Sequence, residues 1–232
     1  MNRMRFLAVM AVMAARVNGQ EEVTPDAMTA EQIVDRVLMS RAMQNKEELR
    51  GSFTKGRTSV PFTITLLKDQ ISFGFDKPKQ VVSLNITEKG ARLTETAAGG
   101  KEQAIATARY TEGVRGTDLT YDDLSQRFLY WPKKAKVGTD TVQTRKCDVV
   151  DLFNPDALGE YYMVRVFADR DSGGMLRMMG FDREGKLVKT CTVTSGMKLK
   201  SGATVLKSME ILRHQPGSKK VISETTLELR KP

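Results

Sequence analysis

The sequence predicts a mainly β protein of the α+β class, with about ten or eleven antiparallel strands, on three observations. From Ser52 onward, apolar and polar residues alternate with a period of two, as they do on strands that bury one face. Short clusters of Gly, Pro, Asp and Lys separate these runs at hairpin spacing. Helical spacing appears only near the start and once in the middle.

The elements follow in chain order. Met1-Asn-Arg-Met-Arg5 is basic, Phe6 to Ala15 is an unbroken apolar run, and Val17-Asn-Gly19 is a small-residue exit. That is the anatomy of a secretory leader cut after Gly19. Its ten apolar residues are half of the roughly 20 that span a bilayer, and no cysteine near the exit offers a lipid anchor. The expected mature protein is exported and periplasmic. Residues 20–28 are a polar lead-in, and residues 29–232 are read as one domain.

Thr29-Ala-Glu-Gln32 has capping-box spacing, and Ile33, Val34, Val37, Leu38 and Ala42 recur at helical intervals, predicting an amphipathic helix over 30–45. The strand runs begin with Phe62, Ile64 and Leu66, then Ile71, Phe73 and Phe75, then Val82, Leu84 and Ile86. Turns fall at Lys68-Asp69, Asp76-Lys77-Pro78 and Lys89-Gly90. A second meander covers 142–152, 161–168, 175–181, 187–194, 203–212 and 221–229. Between the meanders, Thr120 to Asp123 again has capping-box spacing. Asp122 and Asp123 would offset the positive end of a short helix, and Pro132 would stop it.

The formal charge is +9, and it falls to +6 without Arg3, Arg5 and Arg16 of the leader. Basic residues are dispersed rather than interleaved with aromatics, and aromatics are only 6% of the chain, so nucleic acid is excluded as a partner. Cys147 and Cys191 would close a disulfide if their strands were neighbours with matched side-chain direction; otherwise they are two buried thiols.

Catalysis is not expected. The one histidine, His214, sits at a strand end beside a turn, with no nucleophile elbow nearby. Two separated cysteines and that histidine lack metal-ligand spacing. Asp122 and Asp123 are adjacent on a helix and would point apart, so capping explains them better than paired acid-base work. No cofactor is implied.

The order of one leading helix, a run of strands, a short central helix and more strands resembles the outer-membrane lipoprotein-sorting family, the LolA/LolB-like proteins. Gly116-Thr-Asp-Leu-Thr-Tyr-Asp-Asp-Leu124 is similar to that family's central segment. Tyr162-Met-Val-Arg-Val-Phe-Ala-Asp169, Met175-Leu-Arg177 and Phe181-Asp-Arg-Glu-Gly-Lys-Leu-Val-Lys189 are similar to its later strands. The resemblance implies a half-open antiparallel barrel whose concave side is covered by the two helices over an apolar cavity for acyl chains. An arginine on an early strand fastens the lid in such carriers, and Arg50 and Arg57 lie in that region.

The expected lining is Phe62, Ile64, Leu66, Ile71, Phe73, Phe75, Val82, Leu84 and Ile86, with Met163 and Met175 among the adaptable thioethers and Tyr130 and Trp131 at the rim. One sixteen-carbon chain represents on the order of 12 kcal/mol against water, at about 0.8 kcal/mol per methylene. A carrier therefore needs a cavity close in free energy to the bilayer. The expected function is a soluble periplasmic carrier of lipoprotein or lipid acyl chains, with transient membrane contact. The alternative is an envelope sensory or interaction domain of the same fold that recognises lipidated ligands and binds a protein partner.

Overall fold

The computed structural model describes residues 28–40, 46–87, 90–156, 158–199, 202 and 204–230. The leader, the lead-in up to residue 27, and Ala42 of the leading helix lie outside the described residues. Helix α1 spans Ala30–Ser40. Thr29 and Gln32 close the expected capping box: the Thr29 amide donates to Gln32 Oε1 at 2.8 Å, and the Gln32 amide to Thr29 Oγ1 at 3.3 Å.

Five strands and a short sixth follow: β1 (Glu47–Lys55), β2 (Thr58–Leu66), β3 (Gln70–Asp76), β4 (Lys79–Thr87), β5 (Gly90–Ala97) and β6 (Gln103–Ala104). A largely irregular segment, residues 105–131, contains helix α2 (Tyr121–Ser125) and a 3-10 turn at Arg127–Tyr130. The second set is β7 (Lys133–Val142), β8 (Arg145–Phe153), β9 (Met163–Asp169), β10 (Met175–Phe181), β11 (Leu187–Lys198), β12 (Thr204–His214) and β13 (Val221–Arg230). All thirteen form one open antiparallel sheet in the order β6-β5-β4-β3-β2-β1-β13-β12-β11-β10-β9-β8-β7.

The sheet must curl strongly. Laid flat, β5 and β8 would stand ten strand intervals apart, about 48 Å at 4.8 Å each. The single 3-10 turn Arg127–Tyr130, four residues long and about 8 Å at 2 Å per residue, nevertheless meets both. One contiguous core fills the concavity, joining α1, both sets of strands and residues 105–131. Its centre is a ring cluster in which Phe53 lies 4.5 Å from Phe62, 6.3 Å from Phe73 and 6.5 Å from Phe75 between centroids.

The count exceeds the expected ten or eleven because β1 and β7 carry weak periodicity. In β1 the inward row is Leu49, Gly51 and Phe53, so its middle position shows no apolar side chain. A Cβ at Gly51 would lie 2.6 Å from Phe62 Cζ and 2.7 Å from Leu229 Cδ2, its two register partners, so the gap admits their side chains. β7 is the polar edge strand, mostly exposed and bulged between Lys136 and Gly138.

The cysteines do not pair. Cys147 on β8 and Cys191 on β11 are both free and buried, with β9 and β10 between their strands. They also face opposite sides: Cys191 belongs to the concave core, and Cys147 to a small outer cluster with Val142, Val149 and Phe167. Burial pushes both thiols up, Cys191 well above its usual range.

Candidate functional site

Of the predicted lining, Phe62, Ile64, Phe73, Phe75, Val82 and Leu84 are buried on the concave face, and Leu66, Ile71 and Ile86 are half-buried against the same core. The last three sit at one end of β2, β3 and β4, the end at which α1 lies. Trp131 is buried rather than at a rim, its ring 6.4 Å from Phe128, while Tyr130 and Met175 are half-buried on the core. Met163 is elsewhere. It pairs with Phe153 and Phe181 and is one residue out of phase with the inward Val164 and Val166, so it lies on the outer face. In its place on the concave face β10 offers Met178, which is buried.

Two pieces of chain cover the concavity, and they are held differently. Residues 105–131 are fixed by carboxylates. Asp118 accepts from Lys55 Nζ at 2.8 Å, Ser223 Oγ at 2.8 Å and Thr225 Oγ1 at 2.9 Å, which joins it to β1 and β13. Burial alone would raise the Asp118 carboxyl, but these donors outweigh it and hold it below the usual carboxylate range.

Thr120 and Asp123 form the predicted capping box on α2, and Asp123 then turns inward. Its carboxylate accepts from Tyr161 Oη at 2.5 Å and from Lys189 Nζ at 2.7 Å. Lys189, on β11, has no exposed side-chain surface and also donates to Glu160 at 2.7 Å. Burial would lower the ammonium, yet Asp123 and Glu160 outweigh it and the net shift is upward. Arg213 pairs with the other Glu160 oxygen. Asp122 points away, as adjacent helical residues must. It accepts from Arg127 Nε at 2.7 Å and from the Glu160 amide at 2.9 Å. Gly159, at φ +84°, passes so close that a Cβ there would come 2.2 Å from Asp122 Oδ2.

α1 is held mainly by its apolar stripe. Ile33, Val34 and Val37 are buried against the core that includes Val150, Leu152 and Val164. Polar fixings among the described residues include Arg36 donating to the Arg170 carbonyl at 2.7 Å and Lys136 donating to the Met28 carbonyl at 3.3 Å. A lid latch at Arg50 or Arg57 finds no support: Arg57 is exposed on the β1–β2 turn, and Arg50 is exposed and out of phase with inward Leu49. A groove of about 590 Å³ lies beyond the core, lined by Thr54, Lys55, Gly56, Ser223, Glu224 and Thr226, and it includes none of the predicted lining.

A family model whose description reads "-like: Uncharacterized protein" matches residues 98–232. The chain belongs to that family. Its fold is shared with solved structures over nearly the whole length. A DUF1329 family protein from Desulfovibrio piger superposes with a TM-score of 0.64 at 16% identity, covering 87% of this chain and 90% of that one. A LolA superfamily protein from Nitrosomonas europaea gives 0.62 at 12% identity, covering 88% and 93%. A putative outer membrane lipoprotein-sorting protein domain from Vibrio parahaemolyticus gives 0.60 at 14%, covering 85% and 89%. The resemblance read from the central segment thus corresponds to a common LolA-like fold. No curated protein matches the sequence.

Sequence reasoning missed Lys189, Glu160 and Asp118 as parts of one cover. Lys189 sits in the inward phase of β11, two residues before the inward Cys191. A lysine in an apolar phase is the signal that could have revealed it.

Proposed function

We propose that this protein holds an acyl chain of a lipoprotein or free lipid on its concave face beneath α1, and carries it within the cell envelope by binding alone, without cofactor or catalysis. The observation that carries this reading is the continuous apolar concave face under a helix seated on it by an apolar stripe, Ile33, Val34 and Val37. Half-buried Leu66, Ile71 and Ile86 at that end offer the mouth. Support for binding rather than chemistry comes from Asp122 and Asp123, which are engaged in structural ion pairs with Arg127 and Lys189.

Magnitudes constrain how the lid works. Burying Ile33, Val34 and Val37 stabilises α1 by about 5–9 kcal/mol, at roughly 1.5–3 kcal/mol per side chain. A chain arriving from a bilayer gains little by exchanging one apolar surface for another, so it cannot throw that stripe into water. α1 must lift and settle on top of the chain, its stripe then covering methylenes instead of sheet. Among the described residues no helix is long and apolar enough to cross a membrane.

Native mass spectrometry of the protein purified from the envelope of cells producing the full chain tests this. Bound lipid is expected on the wild type, and Leu66→Glu at the mouth should remove it while the circular dichroism spectrum is unchanged. A wild type that stays lipid-free after incubation with lipid vesicles sinks the reading. A stoichiometric protein partner in place of lipid would favour the sensory domain.

A further inference from the structure

Antiparallel strands place their turns at two ends, and the two ends of this sheet differ in charge. At the end where β1, β3, β5 and β12 finish, the turns contain Arg57, then Lys77 and Lys79, then Lys101, then Lys219 and Lys220. The sheet order sets these four turns side by side. All six cations are exposed, and none forms an ion pair among the described residues. Asp76 and Glu102 are the acids in these four turns, and the next turn along, β10–β11, is charge-balanced with Asp182, Arg183, Glu184 and Lys186. At the opposite end the cations are fewer and mostly compensated: Lys68 adjoins Asp69, Arg170 is held by Asp148 beside Asp171, and Lys198 is exposed without an ion pair among the described residues.

The basic end also exposes apolar side chains. Val221 and Ile222, 42% and 57% exposed, directly follow Lys219 and Lys220. They are the first two residues of β13, so they point to opposite faces of the hairpin tip. Leu158 and Tyr162, 48% and 46% exposed, project from the β8–β9 connection at the same end. Unpaired lysines next to exposed aliphatic side chains on a narrow tip match the layered chemistry of a bilayer surface, with anionic headgroups above acyl chains. A soluble polyanion would use the lysines and leave Val221 and Ile222 in water.

We propose that this end docks on an anionic lipid bilayer, with the β12–β13 tip placing Val221 and Ile222 among the headgroups and the six cations facing anionic lipid. The docked protein turns α1, Leu66, Ile71 and Ile86 away from that bilayer. The membrane engaged here is therefore not the one against which the mouth opens. The docking stands without acyl-chain binding; only the direction of the mouth rests on the proposed carrier.

Co-sedimentation of the envelope-purified protein with vesicles tests it. Vesicles of phosphatidylcholine with about 30% phosphatidylglycerol should bind at least tenfold better than phosphatidylcholine alone, since each lysine near an anionic surface contributes on the order of a tenfold factor or less. Lys219→Glu with Lys220→Glu should lose at least about tenfold. Lys68→Glu with Lys198→Glu, the same charge change at the other end, should bind as wild type. Val221→Ser with Ile222→Ser should lose roughly fivefold or more. Equal loss from the two charge-reversed variants reduces the effect to net charge and overturns the proposal. So does unchanged binding in the serine variant, which would mark a polyanion surface rather than a bilayer one.

Discussion

The two covers over the concave face bury apolar side chains against one core, yet their edges are built from different chemistry. Residues 105–131 are tied to the sheet by two buried carboxylates with cationic partners on strands, Asp118 with Lys55 and Asp123 with Lys189, while Asp122 pairs with Arg127 inside the segment and accepts from the Glu160 amide. α1 has an apolar stripe and a few bonds from long side chains to backbone carbonyls. Separating a buried ion pair exposes two charges to each other's absence, whereas an apolar stripe can slide onto another apolar surface with little change in free energy. The two helices in these pieces read as covers in the sequence. The structure ties the central segment to the sheet by ion pairs, and in the proposed carrier α1 is the element that moves.

The largest effect should come from Lys189→Met. The substitution leaves Asp123 and Glu160 facing each other in the core with Arg213 as their remaining cation. Removing one partner of a buried pair costs about 3–5 kcal/mol, which for a chain of this length lowers Tm by about 10 °C. Differential scanning calorimetry checks it. A loss below about 1 kcal/mol would mean that the central cover is no more firmly tied than α1, and the comparison would fail.

Asp118→Asn should cost less, about 2 kcal/mol at neutral pH, the scale of hydrogen bonds to a charged group. Its pH dependence has a definite sign. The folded carboxyl lies below its ordinary range, so its contribution is full above the unfolded value of about 3.9 and disappears as pH falls through the lower folded value. Asp169, held down by Arg145 and Ser172 against its own burial, behaves alike. Urea unfolding from pH 7 to pH 2 should show wild type and Asp118→Asn converging below about pH 4. A constant gap would remove Asp118 as the ion-paired anchor.

The same contrast explains what could be read from the sequence. The start of α1 and its capping box, the apolar phases of β2, β3 and β4, and the capping box on α2 follow from local spacing, and each is where spacing puts it; the last residues of the expected 30–45 helix lie outside the described residues. β1 was hidden because its middle inward position is Gly51, whose emptiness matters only once Phe62 and Leu229 are known to flank it. Met163 was misplaced because inward and outward apolar residues both occur on β9, where Phe167 serves an outer cluster. The carboxylate anchors were legible as caps but not as anchors. Asp123 meets Lys189 across 66 residues of sequence, and Asp118 meets Thr225 across 107, so neither spacing nor composition carries the pairing.

The smallest effect on stability, and the most direct on function, belongs to Arg36→Ala. It removes the bond to the Arg170 carbonyl and leaves the stripe of Ile33, Val34 and Val37 in place. The net loss should be about 1 kcal/mol, a fall in Tm of roughly 2–4 °C. If α1 competes with the chain for the concave face, destabilising its seated position by that amount raises apparent affinity for a fluorescent acyl probe about fivefold. Lys189→Met, which loosens the other cover, should not raise it. An Arg36→Ala protein that binds the probe no better than wild type would show that α1 is a fixed wall, because a wall gains no ligand when one of its supports is removed.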